Sequence, residues 1–105
     1  MLDIAGDGVH ARATSAAGLF YAAHSLAQLA DTYDGKIPEC SIVDYPRFQY
    51  RGLMIDVSRN FRDKNFIKKQ IDAMAALKLN RLHLHLTDAA GWRMQIDRYP
   101  RLTEF

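Results

Sequence analysis

The sequence predicts an α/β fold, and three observations lead to this prediction. Residues 50–59 form a near-continuous apolar stretch, which is typical of a strand buried in a parallel sheet. Residues 63–80 then carry apolar side chains at helical spacing, and residues 81–88 form a second strand in which leucines alternate with other side chains. Strand, helix and strand within about forty residues predict a βαβ unit with parallel neighbouring strands and a right-handed crossover.

The composition is that of a globular protein, and it excludes several function classes. The chain has 105 residues, of which 49% are hydrophobic and 25% charged, and its formal net charge is +2. Because the basic residues are scattered and interrupted by acids, we expect no nucleic-acid partner. No apolar run approaches the ~18 residues of a membrane span. The first ten residues do not resemble a signal peptide, and the single cysteine, Cys40, rules out an internal disulfide.

Residues 1–43 precede this unit, and their sequence pattern predicts part of a separate small α/β domain. The Gly-Asp-Gly turn signal at residues 6–8 lies between short apolar stretches, which favours a hairpin. The next segment places leucine and alanine at helical spacing, with Ser15 as the expected N-cap. A turn-rich connector follows and contains a short strand at residues 41–43. We therefore expect one domain over residues 1–43 and a second beginning at residue 44.

The carboxyl ends of the two parallel strands are the expected functional edge, because ligands bind there in parallel α/β folds. Arg59 ends the first strand, and its planar guanidinium can donate to two neighbouring hydroxyls. Asp88 ends the second strand, where it can orient another polar group, bind a sugar hydroxyl, or form a turn or a helix cap. Asp56 lies among apolar residues and should pair with an arginine. In the helix between the strands, Asp63 is the expected N-cap and Asn80 the expected left-handed end.

Two histidines, His83 and His85, should point to the same side of the second strand. One interpretation is the zinc-binding pair of a metal-dependent barrel hydrolase. Zinc requires further protein ligands, and the remaining histidines, His10 and His24, lie in the N-terminal part. We therefore favour buried, hydrogen-bonded histidines that line the interior. Arg51 and Arg93 are expected to be structural ion-pair partners, and Trp92 is expected to pack, with stacking on a sugar ring as the alternative.

Two stretches in the second half of the chain match a known pattern in order and spacing. DYPRFQYRGLMIDVSRNF at residues 44–61 and LHLHLTDAAGWR at residues 82–93 resemble the start of the catalytic barrel of family 20 glycoside hydrolases, the β-N-acetylhexosaminidases. The resemblance implies a partial TIM (β/α)8 barrel over residues 44–105, with its first two strands and first helix. Residues 1–43 resemble the end of the small α+β domain that precedes this barrel.

The resemblance also implies an activity and the roles of individual residues. The parent protein would be a retaining exo-β-N-acetylhexosaminidase that removes terminal N-acetylglucosamine or N-acetylgalactosamine without a cofactor or metal. Arg59 would bind hydroxyls of the terminal sugar, and Asp88 would support a histidine from a later strand. His83 and His85 would line the wall. Such a parent is expected to be secreted, periplasmic or lysosomal.

The reaction implied by the resemblance is substrate-assisted. The substrate's 2-acetamido group attacks the anomeric carbon, an aspartate orients that group, and a glutamate acts as general acid. The Asp-Glu pair is expected beyond Phe105, so we expect the isolated chain to be inactive. The family usually has Asp-Asp-Gln-Gly-Trp where this sequence has DAAGW at residues 88–92. This change leaves open a third hypothesis, a non-catalytic carbohydrate-binding module.

Overall fold

A computed structural model describes residues 1–89 and 91–104 of the chain, and it confirms the predicted α/β class. The chain divides into two compact units, residues 1–49 and a second that begins at Tyr50. No helix among the described residues has both the length and the apolar character needed to cross a membrane.

The first unit contains a three-stranded antiparallel sheet. Strands β1 (Leu2–Ala5) and β2 (Gly8–Ala11) form the predicted hairpin, and β3 (Cys40–Ile42) pairs with the other edge of β1. The predicted strand at residues 41–43 is thus confirmed with a shift of one residue. Leu2 and Ile4 of the central strand are buried and supply the apolar core of this unit.

Helix α1 (Ala16–Thr32) lies between β2 and β3 in the chain. It begins where the sequence predicts, because the side chain of Ser15 accepts a hydrogen bond from the backbone N–H of Gly18 at 3.2 Å. Gly18 permits a close approach, since a Cβ there would lie 2.7 Å from the Cβ of Ala13.

The second unit contains the predicted βαβ arrangement. Strands β4 (Gly52–Asp56) and β5 (Arg81–His85) are parallel hydrogen-bonded neighbours, and helix α2 (Lys64–Ala76) connects them. The side chain of Asp63 caps α2 by accepting from the N–H of Phe66 at 2.7 Å, as predicted. The parallel register, and therefore the common direction of the two strand ends, is confirmed.

The pairing of β4 with β5 sorts their side chains onto two faces. Leu53 pairs with Leu82, and Ile55 pairs with Leu84, so these apolar side chains share one face. The other face carries Met54, Asp56, His83 and His85. The acid and the histidines therefore lie on the same side of the sheet.

Helix α2 ends differently from the prediction. Lys78, and not Asn80, adopts the left-handed conformation, with φ of 57°. The N–H of Leu79 donates to Met74 and that of Lys78 donates to Ala75, which is the paired hydrogen-bond pattern of a Schellman motif. Asn80 instead fastens the entry of β5 to the entry of β4, because its side-chain oxygen accepts from the N–H of Arg51 at 3.0 Å.

The second strand is also shorter than predicted. It ends at His85, and Thr87–Asp88 form a separate short strand, β6, which pairs antiparallel with β7 (Gly91–Trp92). The carbonyl of Leu86 accepts from the N–H of Arg93 at 2.8 Å and so closes the base of this hairpin. A short 3-10 helix at Pro100–Leu102 follows. Asp88 therefore lies on a hairpin at the strand end, and not on the parallel sheet itself.

Candidate functional site

Arg59 lies in the turn that follows β4. The backbone N–H groups of Val57 and Ser58 both donate to the carbonyl of His85 at 3.2 Å, so the turn begins by folding over the end of β5. The N–H of Arg59 then donates to Oδ1 of Asp56 at 3.0 Å. The turn is thus held by the last residue of each parallel strand, and the Arg59 side chain extends from it with 61% of its surface exposed.

The turn and the β6–β7 hairpin are fastened together by hydrogen bonds to backbone carbonyl groups. The hydroxyl of Ser58, which is fully buried, donates to the carbonyl of Gly91 at 2.6 Å. Arg93 donates through Nε to the carbonyl of Val57 at 3.1 Å and through Nη2 to that of Ser58 at 3.2 Å. We call these contacts of Ser58, Gly91 and Arg93 the loop latch. Arg93 therefore has a structural role, but among the described residues the predicted ion pair is wrong, because its guanidinium donates to backbone carbonyls.

Arg59 and Asp88 meet across the two loops, as their predicted places at the strand ends require. Nε and Nη2 of Arg59 both donate to Oδ2 of Asp88, at 3.0 and 2.7 Å. Nη1 of Arg59 lies 3.4 Å from Oδ2 of Asp56, which confirms that Asp56 pairs with an arginine. The guanidinium is therefore held between two carboxylates, on a partly exposed edge.

The surroundings of Asp88 favour its charged form. The backbone N–H of Ala89, which donates to Oδ1 at 2.6 Å, is the largest cause that lowers the pKa of Asp88, followed by hydrogen bonds from Arg59 and His85. The same contact with Asp88 raises the pKa of Arg59. Asp88 is thus an ionised acceptor at neutral pH, and Arg59 is a permanent donor.

The two histidines differ in their surroundings. Nε2 of His85 lies 3.0 Å from Oδ2 of Asp88, so the hydrogen bond predicted for His85 is confirmed and its partner is Asp88. The predicted burial is wrong for His83, which is exposed on the same face of the sheet. Within residues 1–89 and 91–104, no three potential metal ligands lie together.

A cavity of about 790 Å³ opens beside Asp88. Phe61, Trp92 and Arg101 are among the residues that line it. Nε1 of Trp92 donates to the carbonyl of Met94 at 2.6 Å, which fixes the indole ring at this wall. The guanidinium of Arg93 lies over the aromatic face of Phe61, at 5.2 Å from the centroid of the ring.

Sequence reasoning missed two features of the site. Ser58 received no role, although its hydroxyl joins the two loops. The signal available was a small polar residue directly before the arginine that ends a buried strand. The backbone N–H of Ala89 was also missed, and no side-chain pattern reports such a donor.

Comparison with known proteins identifies the family. Residues 48–105 match the model of the glycosyl hydrolase family 20 catalytic domain, and residues 1–45 match that of glycosyl hydrolase family 20, domain 2. The chain belongs to glycosyl hydrolase family 20. The resemblance in the sequence motifs is thereby confirmed.

Relatives in this family are similar along nearly the whole chain. The chain is 50% identical over 104 residues to an N,N'-diacetylchitobiase of Vibrio harveyi, with 98% of the chain and 12% of that protein covered. It is 49% identical to beta-hexosaminidase B of Pseudoalteromonas piscicida, with 97% of the chain and 13% of that protein covered. The chain therefore spans about an eighth of the length of these relatives.

Solved structures agree with this assignment. The family 20 beta-N-acetylhexosaminidase of Streptomyces coelicolor superimposes with a TM-score of 0.85 at 39% identity, with 95% of the chain and 22% of that structure covered. Another beta-N-acetylhexosaminidase structure gives a TM-score of 0.88 at 42% identity, with 96% of the chain and 22% of that structure covered.

Proposed function

We propose that this chain is part of a retaining exo-β-N-acetylhexosaminidase that hydrolyses terminal N-acetylglucosamine or N-acetylgalactosamine. The observation that carries the proposal is the Arg59–Asp88 contact, because it brings a permanent donor and an ionised acceptor together at the carboxyl ends of two parallel strands. The family and the names of its relatives support the same reaction.

Within this proposal, β4 and β5 are the first two strands of an eight-stranded TIM barrel, and α2 is its first outer helix. The apolar face of the pair packs toward the helix layer, and the face with Asp56, His83 and His85 lines the interior. Residues 1–43 are the C-terminal part of the preceding α/β domain, and the catalytic domain begins at residue 44. The ranges of the two family matches support this division.

Arg59 is proposed to bind the terminal sugar. A guanidinium has five N–H donors. Asp88 takes one from Nε and one from Nη2, and Asp56 faces Nη1 at 3.4 Å. One hydrogen of Nη2 and one of Nη1 remain for neighbouring sugar hydroxyls, which a planar fork can bind as a pair. The acids on either side fix the direction in which the guanidinium presents these hydrogens.

The bond-breaking step follows from the family mechanism. The carbonyl oxygen of the 2-acetamido group forms a bond to the anomeric carbon as the bond to the aglycone oxygen breaks. A glutamic acid donates its proton to that oxygen, and water later opens the oxazolinium intermediate, so the configuration is retained. Within this proposal, Arg59 and Asp88 hold the sugar ring, and Asp88 also supports a histidine from a later strand.

The test is the activity of the complete protein that carries this chain toward a p-nitrophenyl N-acetyl-β-glucosaminide. We expect hydrolysis with retention, and we expect Arg59→Ala to lower kcat/KM on the order of 100-fold, since charge-assisted hydrogen bonds to the sugar are lost. Arg62→Ala is the matched control, because Arg62 is an exposed arginine nearby that lies over the Phe66 ring. No hydrolysis by the unsubstituted protein, or equal losses in the two variants, would refute the proposal.

A further inference from the structure

His85 occupies a position that connects both halves of the candidate site. Its backbone carbonyl accepts from the N–H groups of Val57 and Ser58, which begin the turn that carries Arg59. Its side chain contacts Asp88 at 3.0 Å on the other loop. His85 therefore contacts the turn that carries Arg59, the proposed donor to the sugar, and it also contacts Asp88, the proposed acceptor.

The direction of the hydrogen bond between His85 and Asp88 follows from charge. Asp88 is ionised at neutral pH and can only accept, so Nε2 of His85 carries the hydrogen and donates it. With Arg59, this makes three donor atoms on Oδ2: Nε and Nη2 of Arg59 and Nε2 of His85. A carboxylate oxygen has about two lone-pair sites, so Oδ2 is fully occupied.

The other oxygen of Asp88 is less occupied. Among the described residues, Oδ1 accepts from the backbone N–H of Ala89 at 2.6 Å. Among these contacts one acceptor site of Oδ1 is therefore open, and the donors on Oδ2 hold the plane of the carboxylate in one orientation. Rotation about the last torsion of an aspartate is otherwise broad, so this restraint must come from its neighbours.

We propose that His85 is a positioning residue, which holds Asp88 by Oδ2 so that Asp88 and Arg59 keep a fixed geometry for the sugar and Oδ1 stays open as an acceptor. This inference rests on the proposed function and assigns His85 a specific task there, beyond lining the wall. His85 does not touch the reacting atoms. It acts through Asp88, and through the turn that carries Arg59.

The decisive experiment compares His85→Leu with His85→Gln in the complete protein. Leucine removes the donor, whereas the amide nitrogen of glutamine lies as many bonds from the backbone as Nε2 of histidine. We expect His85→Leu to raise KM for a p-nitrophenyl N-acetyl-β-glucosaminide about tenfold with a smaller change in kcat, because a hydrogen bond to a charged group in the sugar site is lost. His85→Gln should recover most of that loss.

Two controls separate positioning from a general effect on folding. A variant that merely lost folded protein would show a lower kcat at unchanged KM, and glutamine would not rescue it. His10→Leu is the matched control, because His10 is an exposed histidine on β2 in the first unit and should leave both constants unchanged. Unchanged KM in His85→Leu, or a kcat-only loss without rescue, would overturn the inference.

A double-mutant cycle reads the contact independently of hydrolysis. We expect the effects of His85→Leu and Asp88→Ala on the thermal unfolding midpoint to be non-additive, since each substitution removes the same hydrogen bond. If the unsubstituted protein hydrolyses no N-acetylhexosaminide, the proposed function fails, and the His85–Asp88 contact is still decided by this cycle. Additive effects would show that the two side chains do not interact.

Discussion

Replacing Gly91 with alanine should force the two site loops apart. A Cβ at this position would lie 2.6 Å from the carbonyl oxygen of Ser58 and 3.0 Å from Nη2 of Arg93. The first of these atoms belongs to the backbone of a fully buried residue, so it cannot swing aside as the end of a flexible side chain can. The loop latch must therefore move as a whole.

The expected cost combines two effects at one place. Forcing a methyl group into a filled site costs about 1–3 kcal/mol. Displacing the carbonyl of Gly91 also leaves the buried hydroxyl of Ser58 without its acceptor, which costs about 1–3 kcal/mol. Because the two effects share the same contacts they do not simply add, and we expect a loss of about 2–4 kcal/mol in the free energy of unfolding.

The assay is thermal unfolding together with kcat/KM, measured well below the unfolding midpoint. Gly52→Ala is the matched control. Its Cβ would meet the ring of Tyr50 at 2.8 Å, but Tyr50 is 68% exposed and its side chain can rotate away. We expect Gly91→Ala to lower both the midpoint and kcat/KM, and Gly52→Ala to change neither appreciably. Equal behaviour of the two variants would refute the assignment of the latch to loop positioning.

Three further predictions concern charge, backbone and metal. The pKa of Asp88 is lowered in the folded protein, so its charged form stabilises the fold at pH values above the ordinary aspartate pKa. This stabilisation is lost as the pH falls through the lowered pKa. Asp88→Asn should therefore make the unfolding midpoint less sensitive to acid, as measured by thermal unfolding across that pH range. Lys78→Gly should raise the free energy of unfolding by about 1 kcal/mol in denaturant titrations, since Lys78 has positive φ, whereas Lys69→Gly inside α2 should lower it by a similar amount. Prolonged dialysis against EDTA should leave hydrolysis unchanged, because the acetamido group of the substrate supplies the nucleophile. A loss of activity that added zinc restores in the unsubstituted protein, but not in His85→Ala, would favour the metal-dependent hypothesis.

The sequence was sufficient for the parts of the fold that depend on repeating patterns. Apolar periodicity and N-capping side chains located α1, α2 and the two parallel strands, and the parallel arrangement then placed Arg59 and Asp88 at one edge. The end of β5 was misplaced because leucine and polar residues keep alternating through LHLHLTD. The break at Leu86 arises from hydrogen bonding instead, where its carbonyl turns to the N–H of Arg93. Side-chain alternation carries no information about that partner.

The site shows the same limit of sequence patterns. The contact that the sequence predicts, between Arg59 and Asp88, is not the one that holds the two loops together. The Arg59–Asp88 pair lies on an exposed edge, with 61% and 26% of the side chains exposed, and exposed ion pairs contribute little to stability. The buried hydroxyl of Ser58 and the guanidinium of Arg93 hold the two loops through uncharged carbonyl groups. Such carbonyl contacts do not titrate, so the loops should keep their places while Asp88 changes its charge. Charged residues at strand ends can be predicted from a sequence because their chemistry is distinctive, whereas a serine that donates to a backbone carbonyl is recognisable only once the two loops are seen together.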